Sequence, residues 1–277
     1  MNPRTFLKVM ILLMLFPSFI CLFLPDTIAS SYTKIMIPLA LLIGAVLAIW
    51  VASTYKKELQ KAFIFLALFL FLMMLANIDY LMNLLRLELG DLYPVFVLFM
   101  QLTTYAMLVI FSLYILKVTE LREIDIKGRI AIMAVLFFGI LIVLYRVPLE
   151  LPQIFVFHYA DAYTISLLLI RLLDVAIVIM LMPVVILYAK QMKLERRESI
   201  TFTVIICGII LSLTIAYVYE IVFGVPLYVI IHAFYHTGSI LDALYLFSYL
   251  IIAVGLYVHK KYDEWGFKRI EKALVGG

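Results

Sequence analysis

The sequence predicts an all-α fold, a polytopic membrane helical bundle of about eight transmembrane helices. Three observations predict it. First, 66% of the 277 residues are hydrophobic, 14% are charged and the mean hydropathy is +1.15. A soluble domain is roughly 45–50% apolar and about 25% charged. A chain of this length cannot enclose so much apolar surface, so hydrocarbon has to solvate part of it. Second, the apolar residues fall into eight runs, each near the roughly 20 residues that a spanning helix requires. Such long runs are unlike the short alternating strands of a membrane barrel. Third, basic residues cluster after every second run and at both ends.

The first run, Phe6–Leu24, follows Arg4 and Lys8. With the small residues at Ala29–Ser31 it also has the layout of a signal peptide, and cleavage would leave seven spans. The second, Ile35–Thr54, is almost wholly apolar and leads into Lys56, Lys57 and Lys61. The third, Ala62–Arg86, carries Asp79, Asn83 and Arg86 at i, i+4 and i+7, one stripe of a helix. The fourth, Val95–Lys117, has Gln101, Thr103, Thr104 and Tyr105 in its first half and runs into Lys117, Arg122, Lys127 and Arg129.

The fifth run, Ile130–Val147, is apolar until Arg146. The sixth, Ile165–Lys190, carries Arg171 and Asp174 at i and i+3, then no polar side chain over Val175–Leu187. Lys190, Lys193, Arg196 and Arg197 follow. The seventh, Phe202–Phe223, has Glu220 near its end, and the eighth, Ser239–His259, has Asp242 at its start. Residues 1–259 thus read as one bundle, and 260–277 as a short amphipathic tail with Trp265 and Phe267 among lysines and an arginine.

All but four of the 22 Lys and Arg residues (Lys34, Arg86, Arg146 and Arg171) lie on one side of this topology. The positive-inside rule puts that side, and both termini, in the cytoplasm of a cell-membrane protein. The expected partners are then the lipid bilayer and a cytoplasmic protein docking on the basic face. The net charge of +4 is modest and no nucleic-acid-binding motif is present. Cys21 and Cys207 lie in separate runs, form no CxxC pair and read as packing residues.

In this orientation the ionisable groups gather toward the outer leaflet. Charges within a membrane are costly, so they face the bundle interior and are functional candidates. The predicted ligand-binding set is Asp79, Asn83, Arg86, Arg171, Asp174, Glu220 and Asp242. Asp174 lies about 14 Å below the outer end of its run, too deep for a short side chain to reach water. The expectation is an outward-facing polar pocket for a polar or ionic small molecule. The competing reading is a set of interhelical ion pairs that hold the bundle together.

His232 and His236, at i and i+4, suit a shared metal, and His158 lies on the same side. Zinc is the cofactor these residues would hold. The HxxxH pair resembles the one near the last span of the alkaline ceramidase and progestin/adipoQ-receptor superfamily. The early-span HxxxD of that superfamily has no counterpart, because no histidine precedes His158. GxSxG, HExxH and intramembrane-protease motifs are absent. Three functions follow, in order: a receptor-like sensor, a transporter, and a metal-dependent membrane hydrolase.

Overall fold

A computed structural model describes residues 3–118, 126–155, 162–193, 197–224 and 240–261. Those residues are helical apart from short turns, and no strand occurs among them. The helices are α1 (Pro3–Phe19), α2 (Asp26–Ala52), α3 (Lys57–Ala76), α4 (Asp79–Leu89), α5 (Tyr93–Val118), α6 (Ile126–Phe155), α7 (Ala162–Lys193), α8 (Arg197–Gly224) and α9 (Ile240–Lys261). Four of them, α2, α3, α5 and α9, are long and apolar enough along their described residues to cross a membrane. Shorter apolar stretches lie in α1, α7 and α8.

Local chemistry sets the ends. Pro25 precedes α2 and Asp26 occupies its first turn, a proline and an acid at the positive end of the helix dipole. Helix α2 therefore starts about two turns before the apolar run. Helix α6 runs on to Phe155, through residues expected to be loop.

The third run is not one helix. It breaks after Ala76, where the Asn77 amide Nδ2 donates to the Met73 carbonyl at 2.8 Å. Ile78 is extended, and Asp79 opens α4 as its first-turn acid. The Met73 carbonyl also accepts the Asn77 backbone N–H at 3.1 Å, and the Ile78 N–H turns back to Leu75 at 3.3 Å, so the ladder tightens to i→i−3 bonds and ends there. The stripe of Asp79, Asn83 and Arg86 thereby sits on a separate eleven-residue helix.

Small residues let the helices approach. Helix α2 buries Ala40, Gly44, Ala45, Ala48 and Ala52 in one core with Ala62, Phe63, Leu66, Ala67 and Leu70 of α3. Helices α8 and α9 are closer still. A Cβ on Gly208 would lie 3.0 Å from the Ser248 carbonyl oxygen, and one on Gly255 would lie 3.3 Å from the Ile205 amide nitrogen. Backbone proximity of this kind is the usual basis of helix association in lipid. Helix α7 packs on α5, α6 and α8, α1 packs on α9, and α6 has its substantial packing on α7.

Candidate functional site

Helix α7 presents one stripe to the core: Asp174, Ile177, Leu181 and Val184, at i, i+3, i+7 and i+10. The three aliphatic residues are fully buried and Asp174 is 2% exposed. Asp174 is the one charged residue buried among the described residues. The stripe explains this: the acid is on the face that the rest of the helix commits to packing.

Asp174 lines a cavity of about 260 Å³ between α6, α7 and α8. Val135, Phe138 and Gly139 come from α6, Val175, Val178 and Ile179 from α7, and Leu213 and Thr214 from α8. Gly139 brings α6 onto α7, since a Cβ there would meet Ile179 Cδ1 at 2.7 Å. Phe138 and Thr214 are exposed, so the cavity reaches the side of the bundle. Thr214 donates its hydroxyl to the Ile210 carbonyl at 2.8 Å, which leaves its oxygen lone pairs toward the space. On α9, buried Tyr249 lies within the electrostatic reach of Asp174. Among the described residues the walls are apolar except for one carboxylate and one hydroxyl.

The other predicted residues are dispersed. Asp79 is half-exposed and pairs with Lys34 at 2.8 Å, while Asn83 and Arg86 are exposed on the same face of α4. None of these three lines the Asp174 cavity. Asp242 is partly buried in the first turn of α9. Arg171 and Glu220 lie on α7 and α8, with side chains outside the described residues. His158, His232 and His236 also lie outside them. Among the described residues no three metal-ligating side chains converge.

A second polar feature escaped the sequence reading. His259, the last residue of the eighth apolar run, joins three other helical segments. Its Nδ1 lies 2.6 Å from Thr201 Oγ1 on α8, and its Nε2 bonds the Tyr55 hydroxyl just after α2. The imidazole stacks with Tyr55 at 5.7 Å and with Phe63 of α3 at 6.1 Å, and Phe202 meets it edge-on at 4.9 Å. A neutral imidazole has one donor and one acceptor nitrogen, and each hydroxyl can serve either. Tyr55 lies 204 residues away in sequence, so no local pattern announces the pair.

No protein-family profile, curated protein or solved structure matches this chain.

Proposed function

We propose that this protein crosses the cell membrane about eight times, with both termini in the cytoplasm, and acts as a ligand-binding sensor. The ligand is a small amphipathic molecule with an apolar body and one cationic or hydrogen-bond-donating group. It enters the Asp174 cavity from the outer half of the bundle, and its arrival is passed along α7 and α9 to the basic end. The observation that carries this reading is the buried carboxylate set in an otherwise apolar cavity. Binding sites are mostly apolar, with a few polar groups to fix orientation, and a carboxylate in such walls selects a positive or donor group.

Tertiary contacts support the topology. At one end Lys34 pairs with Asp79, and Ala243 packs with Cys21 and Ala29. At the other, His259 binds Tyr55 and Thr201, and Lys117 pairs with Glu58 at 2.8 Å. Each contact joins residues that alternating spans place on the same side.

The test is photolabelling of the full chain in nanodiscs with diazirine-bearing octylamine, octanol and octanoic acid. Saturable labelling by the amine or alcohol at residues 135–139, 175–179 and 213–214 is expected, with the amine signal lost in Asp174→Asn. Absence of saturable labelling in those segments refutes the reading. Transport is the second reading, favoured by Pro183 within α7, beyond Asp174 on the same helix. Proline removes a backbone hydrogen bond and weakens the helix there. Counterflow of the labelled amine across proteoliposomes distinguishes it. The hydrolase reading rests on His158, His232 and His236, and metal analysis of the purified protein tests it.

A further inference from the structure

At the basic end of the bundle, two lysines of α9 converge on one indole of α2. Lys260 Nζ is 5.2 Å and Lys261 Nζ 5.1 Å from the centroid of the Trp50 ring. Each contact is of cation–π length. The two ammonium groups share one ring, and an anion with two acceptor oxygens can bridge them. Lys260 also donates to Ser53 Oγ at 3.5 Å. Lys56 and Lys57, three and four residues after Ser53, add positive charge, and Glu58, which follows them, is bound to Lys117; beyond Lys261 the sequence runs on through the acids Asp263 and Glu264. The His259 junction fixes the backbone immediately before the two lysines, so their placement is built into the packing of α9.

The surface leading to this point is apolar and matched to a lipid. Leu39, Ile43, Val46 and Trp50 follow one another at i, i+4, i+7 and i+11 along α2. Leu39 and Ile43 are each 43% exposed and Val46 is 58% exposed, with no charged residue among them. Eleven residues of helix rise about 16 Å. Half of a hydrocarbon core about 30 Å thick is close to that length. The stripe therefore spans one leaflet, from mid-bilayer to the level where an aromatic residue and lysines meet headgroups.

We propose that Trp50, Lys260 and Lys261 form a site for the phosphate of an anionic phospholipid, whose acyl chains lie along Leu39, Ile43 and Val46. The inference uses the membrane setting of the preceding section and is independent of the Asp174 cavity. The two ammonium groups hold the phosphodiester, Ser53 Oγ, which donates to the Trp50 carbonyl at 2.7 Å, accepts from Lys260 and positions it, and Trp50 supports the glycerol level.

The test is native mass spectrometry of the detergent-purified full chain with added dioleoylphosphatidylglycerol or dioleoylphosphatidylcholine. Wild-type protein is expected to retain phosphatidylglycerol in preference to phosphatidylcholine. The Lys260→Gln/Lys261→Gln double variant should lose that affinity by about tenfold or more, since each near-surface lysine contributes measurably to anionic lipid binding. Lys56→Gln/Lys57→Gln removes the same charge at the same end and should leave retention unchanged. Equal loss in both double variants overturns the proposal in favour of a diffuse basic surface. Equal retention of the two lipids, or displacement of phosphatidylglycerol by millimolar inorganic phosphate, overturns it as well. Unchanged elution of each variant on size exclusion, with His259 intact, excludes misfolding as the source of any loss.

Discussion

Adding a single methyl group at Gly208 should loosen the α8–α9 crossing. The new Cβ would lie 2.7 Å from Ile252 Cγ1 and 3.0 Å from the Ser248 carbonyl oxygen. Carbon contacts are comfortable at about 3.5–4.0 Å. Ile252 is fully buried, and the Ser248 carbonyl is backbone, so neither can swing aside. The helices must part by some tenths of an ångström over the whole contact. Overpacking of this kind costs about 1–3 kcal/mol. Replacing glycine by alanine within a helix returns up to about 1 kcal/mol, so the net loss should be about 1–2 kcal/mol. Gly255→Ala faces Ile205 in the same way and should cost a similar amount. The double variant should lose less than the sum, because helices already parted by one Cβ have room for the second. Gly139→Ala is the control: its obstacles are side-chain atoms of Ile179 and Val175 beside the cavity, which can give way, and the change should be near neutral. The assay is reversible unfolding in mixed micelles titrated with dodecyl sulfate. A Gly208→Ala protein as stable as wild type, or a Gly139→Ala protein that is the less stable of the two, would refute the account of how α8 and α9 meet.

Other substitutions separate function from support. Asp174→Asn should abolish amine labelling yet leave unfolding stability within about 1 kcal/mol of wild type, because the amide keeps the shape of the side chain and an acceptor oxygen; a large loss of stability would instead identify the acid as interhelical glue. His259→Ala should destabilise by about 2–4 kcal/mol in the same unfolding assay, from two lost hydrogen bonds and a hole among three aromatic rings. Disrupting the exposed Lys34–Asp79 pair with Lys34→Gln should cost less than about 1 kcal/mol. In native detergent-solubilised protein a membrane-permeant maleimide should reach Cys207, on the exposed face of α8, sooner than Cys21, which is 1% exposed, and Cys21 should become reactive when the chain is unfolded; equal rates would place Cys21 outside the packing of α1, α2 and α9.

Helical class and the approximate places of the helices were legible because apolar run length is a local property. So was the burial of Asp174: an acid followed by thirteen residues without a polar side chain has little choice of position. The broken third run was not legible, because the shift to i→i−3 bonds at Asn77 and Ile78 competes with helix continuation by a small margin. Asp79, Asn83 and Arg86 did share a face as their spacing requires, but the break turned that face outward. Gly208 and Gly255 read as hinges in isolation; their closeness to a partner backbone exists only once α8 and α9 are paired. The same holds for His259, whose two hydroxyl partners come from distant segments.

In the proposed eight-span topology, the break after Ala76 also bears on how the chain would enter the bilayer during synthesis. Helix α3 ends before Asp79, so the insertion machinery receives twenty residues whose only charges cluster at the leading edge, in Lys57, Glu58 and Lys61. Helix α7 has no such relief. Asp174 sits near the middle of its apolar stretch, and a central aspartate raises the cost of insertion by about 2.5–3.5 kcal/mol. Its own Leu, Ile and Val residues offset that, and α6, which rests on α7 through Gly139, is the helix already waiting in the membrane when α7 emerges. The cavity that both helices line is thus first sketched while the polypeptide is still being made.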